Sequence, residues 1–283
     1  MNETLNKPGL GWIARKDATL LALLALGVLL SLTSETFFSP NNLSKLILQY
    51  ADIGILAVGM TMVILIGGID LSVGSIVFLS GVIAAYLLRA SVPPLPAILI
   101  AFTGSGVLLG LWNGFWIARF KIPPFIITLG MMIIAKGAGL FISTQQAITV
   151  SNDLFHAIGH GTLSTPVTWG VFAVLAGLLV LALVRELRQI RRQSPGKSPL
   201  AFWLKYAVLA GFLALLTWVF AGFRGLPWSV FVYGVVIAAG IFTLRKTRFG
   251  RRLYAIGGNE EAARLSGINI FRTKLSVYSL MTA

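Results

Sequence analysis

Long apolar runs separated by short polar or basic stretches form the pattern of this chain. A helix that crosses a bilayer needs about 20 mostly apolar residues. Eight runs approach or meet that length: Ala18–Thr33, Leu46–Ile66, Ser72–Leu88, Pro96–Ile117, Phe125–Ile142, Val167–Val184, Tyr206–Phe220 and Trp228–Leu244. A ninth starts at Leu275 and reaches only Ala283, too short to cross. The spacing predicts an all-α integral membrane protein, a polytopic helical bundle of eight full spans and an incomplete ninth. The first run has a basic flank in Arg15 and Lys16, but Ser31-Leu-Thr-Ser-Glu-Thr36 lacks the small-residue cleavage pattern of a signal peptide. It is expected to be a retained helix. Residues 1–17 then form an N-terminal tail and 18–283 the transmembrane domain, with basic loops at 185–205 and 245–274.

Composition agrees with the pattern. Of 283 residues, 57% are apolar and 11% charged, whereas soluble domains carry about a quarter charged residues. That excludes an ordinary cytosolic enzyme, a disordered chain and a small secreted scaffold. Cysteine is absent, which removes disulfides, thiolate metal sites and cysteine nucleophiles. A net charge of +14 could suggest nucleic acid, but the basic residues sit in blocks between apolar runs. With alternating spans, 19 of the 23 Lys and Arg fall on the side of the N-terminus and 3 opposite, with Lys136 inside a span. By the excess of positive charge on the inner face, that side is expected to be cytoplasmic.

The densest local signal is Ile66-Gly-Gly-Ile-Asp-Leu-Ser-Val-Gly-Ser75. Glycines Gly67, Gly68 and Gly74 let the backbone turn or unwind, which a membrane tolerates only where the freed groups find partners. Asp70 suits a cap that accepts the N–H of Ser72 or Val73. Two readings stand: a capped tight turn at the membrane face, or a broken helix lining a transport pathway. Asp52 lies within the second predicted span and Lys136 within the fifth. Either is a functional group by default, or a snorkelled structural one. Trp112 and Trp116 share a helix face beside Asn113. They read as an interfacial aromatic belt or as a sugar-stacking face with an amide beside it. Gly114 permits close helix packing, and Pro123-Pro124 make a rigid turn that starts the next helix.

In the basic segment, Asn259 suits an N-cap, Glu260 and Glu261 the first turn, and Gly267 the C-terminal stop. The result is one short helix over 260–266, which needs a membrane interface or a partner protein to lie on. His156 and His160, four apart beside Asp153, would suit a weak metal site if helical, but they fall in a polar stretch, 143–166, expected to be a solvated loop. No metal site is expected. Paired carboxylates, phosphate-binding loops and nucleophile motifs are absent, so any nucleotide energy must come from another chain.

Gly67-Gly-Ile-Asp-Leu-Ser-Val-Gly74, Asn113-Gly114, Pro123-Pro-Phe-Ile-Ile-Thr-Leu-Gly130 and Arg248–Gly267, in that order, resemble the permease subunits of bacterial ATP-binding-cassette monosaccharide importers, the ribose, xylose, galactose and arabinose class. The insertion over Arg185–Pro227 is most similar to the D-xylose branch. The resemblance implies a non-enzymatic transport subunit of the bacterial inner membrane, moving a pentose such as D-xylose. It implies a second permease copy, an ATPase subunit that binds the ATP, and a periplasmic sugar-binding protein, with no cofactor in this chain. Asn259, Glu260, Glu261, Ala262, Ala263, Arg264 and Gly267 match the segment that couples to the ATPase. Gly67, Gly68, Asp70, Ser72, Gly74 and Asn113 are the pathway candidates. The family also implies further spans and a second glycine-rich motif after Ala283. The competing reading is an ion-coupled secondary transporter using Asp52 or Asp70.

Overall fold

A computed structural model describes residues 10–192, 199–221 and 225–283; most of the 1–17 tail, Lys197 and Arg224 lie outside them. The described chain is helical, in the order α1 (Leu10–Thr33), α2 (Pro40–Leu65), α3 (Val73–Arg89), α4 (Pro94–Ala101), a π-helical turn (Phe102–Val107), α5 (Leu108–Phe120), α6 (Pro124–Ile142), α7 (Asp153–His160), α8 (Thr165–Arg192), α9 (Pro199–Ala221), α10 (Trp228–Lys246), α11 (Arg248–Gly258), α12 (Glu260–Leu265) and α13 (Ile270–Thr282). Among the described residues, 6 helical segments are long and apolar enough to cross a membrane, α4 through α5 counting as one. The other two predicted spans fall on shorter apolar helices, Leu21–Thr33 and Val73–Arg89.

Two compact units divide the chain, Met1–Ile47 with Thr165–Gly225 and Leu48–Ser164 with Leu226–Ala283. In the first unit, α8 and α9 pack side by side. Glu186 accepts from Lys205 Nζ at 2.6 Å and from the Tyr206 hydroxyl at 2.9 Å, tying the polar ends of the two helices. The basic segment expected as a loop over 185–205 is therefore largely helix. Arg, Glu, Gln and Leu are good helix formers, and Pro199 suits a helix start.

The second unit is held by glycine contacts. Gly106, Gly110 and Gly114 recur every four residues and turn one face of α5 and the preceding π turn towards α13. A Cβ at Gly114 would lie 3.0 Å from Leu275 Cα, and one at Gly110 would strike the Thr282 hydroxyl and approach Ser279 Cα at 2.8 Å. Backbones come this close only where side chains are missing. Thr282 Oγ1 donates to the Gly106 carbonyl at 2.7 Å and closes the contact. The ninth segment, expected from Leu275, thus begins earlier, at Ile270, with Asn269 Oδ1 accepting the Arg272 N–H at 2.9 Å as its cap. Elsewhere in the unit α3 packs on α6, where Gly139 makes room for Phe78, and α10 meets α2 where Gly54 faces Tyr233 and Gly240 faces Val58.

Gly110→Ala should lower the melting temperature of the detergent-solubilised chain, by a cost of about 1–3 kcal/mol for an overpacked contact. Gly130→Ala, in α6 where a Cβ meets nothing within 4 Å, should leave it unchanged or raise it. Differential scanning fluorimetry compares the two, and equal melting of both variants would refute the close-approach role.

Candidate functional site

At the end of α2 the helix stops because Gly67 takes a left-handed conformation, φ 74°, and the Gly68 N–H turns back to the Val63 carbonyl at 2.9 Å. The chain then crosses Ile69–Ser72 before α3 begins. Asp70 Oδ1 accepts the Ser72 N–H at 2.8 Å, one of the two bonds expected of it, and the Ser72 hydroxyl at 2.6 Å, while Ser72 itself is the N-cap residue of α3. From α5, Asn113 Nδ2 donates to the same Ser72 oxygen at 3.1 Å. From α6, Thr128 Oγ1 accepts the Leu71 N–H at 3.2 Å and lies 3.3 Å from the Ile69 carbonyl. Asp70 is 2% exposed, and Ser72, Asn113 and Thr128 are fully buried. The turn is therefore a buried junction of three helices. Sequence reasoning missed Thr128, although it is the only polar side chain in the Pro123–Gly130 motif. Gly68 is needed because a Cβ there would strike the Tyr278 hydroxyl. Gly74 stands apart, with nothing within 4 Å of its Cβ position.

The basic segment folds against this junction. The short helix is found at Glu260–Leu265, with Asn259 Oδ1 accepting the Ala262 N–H at 2.9 Å. Gly267, at φ 81°, ends it while the Ile268 N–H bonds back to the Ala263 carbonyl. A second helix, α11, was not anticipated. Thr247 Oγ1 caps it through the Gly250 N–H at 3.1 Å, and Leu253 and Ile256 turn inward while Arg251, Arg252 and Tyr254 stay exposed. Its signal was legible as apolar residues three apart on a basic background. Leu253, Ile256 and Ala263 join Ile66, Ile117, Val277 and Tyr278 in one buried cluster. Ala263 is the root of α12, whereas Glu260, Glu261, Ala262, Arg264 and Leu265 are exposed.

The exposed charges are paired. Glu261 accepts from Arg264 Nε at 3.0 Å, and Lys274 Nζ reaches Glu260 at 2.7 Å. The Arg264 hydrogen bond holds the Glu261 carboxyl below its usual range and the guanidinium correspondingly higher. Between this edge and the junction lies a cavity of about 430 Å³, lined by Gly67, Gly68, Lys121, Glu260, Glu261 and Tyr278 among others.

Other candidates are not brought to this place. Because α2 begins at Pro40, Asp52 stands half-way along it, exposed. Lys136 is exposed on α6, and neither forms an ion pair with the other. Trp112 is 54% exposed and packs edge-on to Trp116 at 5.6 Å, while Asn113 points into the core. The aromatic face and the amide thus serve different surroundings, which suits the belt reading. The stretch expected as a solvated loop contains α7, capped by Asn152. His156 Nε2 lies 3.1 Å from the Val150 carbonyl, and no three-ligand metal group occurs among the described residues.

A family model described as branched-chain amino acid transport system, permease component, matches residues 42–283. The chain belongs to this permease family. It is 38% identical to the xylose transport system permease protein XylH of Escherichia coli K12 over 88% of its own length and 63% of that protein. It is 36% identical to the Haemophilus influenzae protein of the same name, over 88% of this chain and 66% of the relative. The ribose import permease protein RbsC of Escherichia coli K12 is 32% identical over 95% of this chain and 66% of that protein. The chain thus spans less than two thirds of the length of these relatives. No solved structure matches it. Family and helices together make it a multi-pass membrane protein of this permease family.

Ser72→Ala removes a hydroxyl that serves both Asp70 and Asn113, and should cost about 1–3 kcal/mol for the buried groups left short of a partner. Gly74→Ala should be close to neutral. Thermal unfolding of both variants in one detergent checks the difference. For the exposed pair the sign follows from the lowered Glu261 pKa: its stabilisation is present above the ordinary carboxylate pKa and is lost as pH falls through the lowered one. The protection of α12 amides against hydrogen exchange, taken relative to the intrinsic rate at each pH, should therefore stay constant from neutral pH down to about pH 5 and fall only in stronger acid.

Proposed function

We propose that the chain is the membrane-spanning subunit of an ATP-driven importer that carries a monosaccharide, a pentose such as D-xylose, from periplasm to cytoplasm. The observation that carries this reading is α12, a capped, exposed helix rooted through Ala263 in the cluster that holds the α2–α3 junction. Six residues form no stable helix alone, so its solvent face suits a partner. The names of the xylose and ribose permease relatives support the substrate class.

On this reading the N-terminus is cytoplasmic, which the excess of basic residues on that side supports. Two copies form the pathway, two ATPase subunits engage α12 from below, and a periplasmic sugar-binding protein docks above. Closure of the ATPase pair draws the two α12 segments together. Through Ala263 and Tyr278 that motion reaches Gly67, Gly68, Asp70, Ser72 and Asn113, the moving part of the pathway wall, and opens one face as it closes the other. Gly74, at the start of α3, lets that wall pass close to substrate. Ion coupling through Asp52 or Asp70 is the competing reading; family membership and the exposed, capped face of α12 support the partner-driven one.

An affinity pull-down from native membranes in mild detergent should recover an ATPase carrying a phosphate-binding loop in equal amount. Recovery of the bait alone would overturn the reading. Glu261→Arg, which reverses the charge on the α12 face, should lower ATPase recovery at least about tenfold, equivalent to ~1.4 kcal/mol, with membrane insertion intact. Uptake of labelled xylose should persist in the presence of an uncoupler while ATP remains, whereas ion coupling predicts its collapse.

A further inference from the structure

Three buried polar atoms among the described residues have no hydrogen-bond partner: Asp70 Oδ2, Asn113 Oδ1 and the Tyr278 hydroxyl. They belong to one locus. The Ser72 hydroxyl is bonded to both Asp70 and Asn113, at 2.6 and 3.1 Å. Tyr278 lies against Gly68, two residues before Asp70. Asp70 is 2% exposed, and Asn113 and Tyr278 are fully buried.

The chemistry of the three is one-sided. The carboxylate oxygen and the amide oxygen only accept, and one phenolic proton cannot serve both. The excess is of negative charge and lone pairs, in an apolar core where an uncompensated carboxylate is costly. No Lys or Arg among the described residues pairs with Asp70. The charged groups lining the adjoining cavity are Lys121, Glu260, Glu261 and Lys274. Of these, Lys274 is bonded to Glu260 and Glu261 to Arg264, while Lys121 is exposed and forms no ion pair with Asp70. The side chains at the junction thus carry one negative charge and supply no positive one.

Carboxylate, amide carbonyl and phenol are hard oxygen donors, the type that binds alkali and alkaline-earth cations rather than transition metals. A divalent ion would leave a net positive charge in the core, whereas a monovalent ion leaves none. We propose that Asp70 Oδ2, Asn113 Oδ1 and the Tyr278 hydroxyl form a buried site for one monovalent metal cation, Na⁺ or K⁺, at the α2–α3 junction. The ion ties the junction to α5 and α13, the two helices already brought together by the Gly110 and Gly114 contacts. The inference stands apart from the transport reading, since its test reads stability and uses no partner.

The full chain, purified into lipid nanodiscs, is melted in NaCl, KCl, LiCl and choline chloride at equal ionic strength. A ligand that binds only the folded state raises the melting temperature with its concentration. The midpoint should rise with Na⁺ or K⁺ and stay flat in choline. Asp70→Asn should abolish the rise. Tyr278→Phe, which keeps the charge and removes one ligand, should raise the half-saturating concentration about tenfold. Equal response to all four salts overturns the proposal, as does an Asp70→Asn variant that responds like the parent. A midpoint that follows pH between about 5 and 8 without distinguishing the salts means that a proton fills the site, and overturns it too. If Asp70→Asn does not fold, an unchanged half-saturating concentration in Tyr278→Phe decides against the site.

Discussion

A helix that breaks inside an apolar bundle must find partners for the backbone it frees, because hydrocarbon offers none. Here the Ser72 side chain and the turn around it meet that demand. Its N–H and hydroxyl both go to Asp70, its oxygen receives the Asn113 amide, and Thr128 serves the backbone of Ile69 and Leu71. One break thereby fixes the spacing of α3, α5 and α6. The acidic side chain is held by the N-terminal end of α3, where a negative group is favoured.

The second constraint is steric. The Gly106, Gly110 and Gly114 face admits α13 at backbone distance, and that approach carries Tyr278 to the mouth of the break, where Gly68 leaves it room. Polar and glycine contacts thus depend on one another. Were α13 held further from α5 by a side chain, the Tyr278 ring would not reach the cluster of Ile66, Leu253, Ile256 and Ala263. The basic segment inherits its position from the same cluster. Its two helices are short, and α11 and α12 stay folded by placing Leu253, Ile256 and Ala263 into apolar surroundings. On the proposed reading, the exposed faces keep their charges for a partner. A displacement of α12 cannot leave the junction untouched, since Ala263 and Ile66 share a buried environment that is close-packed. That connection gives the coupling reading a physical route.

Much of this was legible in the chain. The spans follow from hydropathy, because solvent exclusion acts on each run by itself. The α12 cap, its acidic first turn and its glycine stop are local chemistry, so Asn259, Glu260 and Gly267 could be placed by reading a dozen residues. The Asp70 to Ser72 bond is local in the same way. What the chain did not announce depends on residues far apart. Thr128 is ordinary until its helix is set beside Leu71, and Tyr278 is ordinary until α13 meets α5. The amphipathic α11 shows locally, in apolar residues three apart, but so few of them on so basic a background did not set it apart from a loop. Asp52 and Lys136, conspicuous in sequence, join no site within the second unit.

The sequence by itself determined the class, the spans, the short capped helix and the place where α2 must break, since each rests on the composition or on hydrogen bonds within a few residues. Tertiary structure decided which helices meet at that break, that Asn113 turns inward while Trp112 turns out, and that three polar oxygens of the unit are buried without a partner. Those outcomes rest on contacts between distant segments: Asn113 and Thr128 reach the break from 41 and 57 residues away, and the glycine face of α5 meets α13 across up to 176, and no local pattern encodes the partner of a close approach.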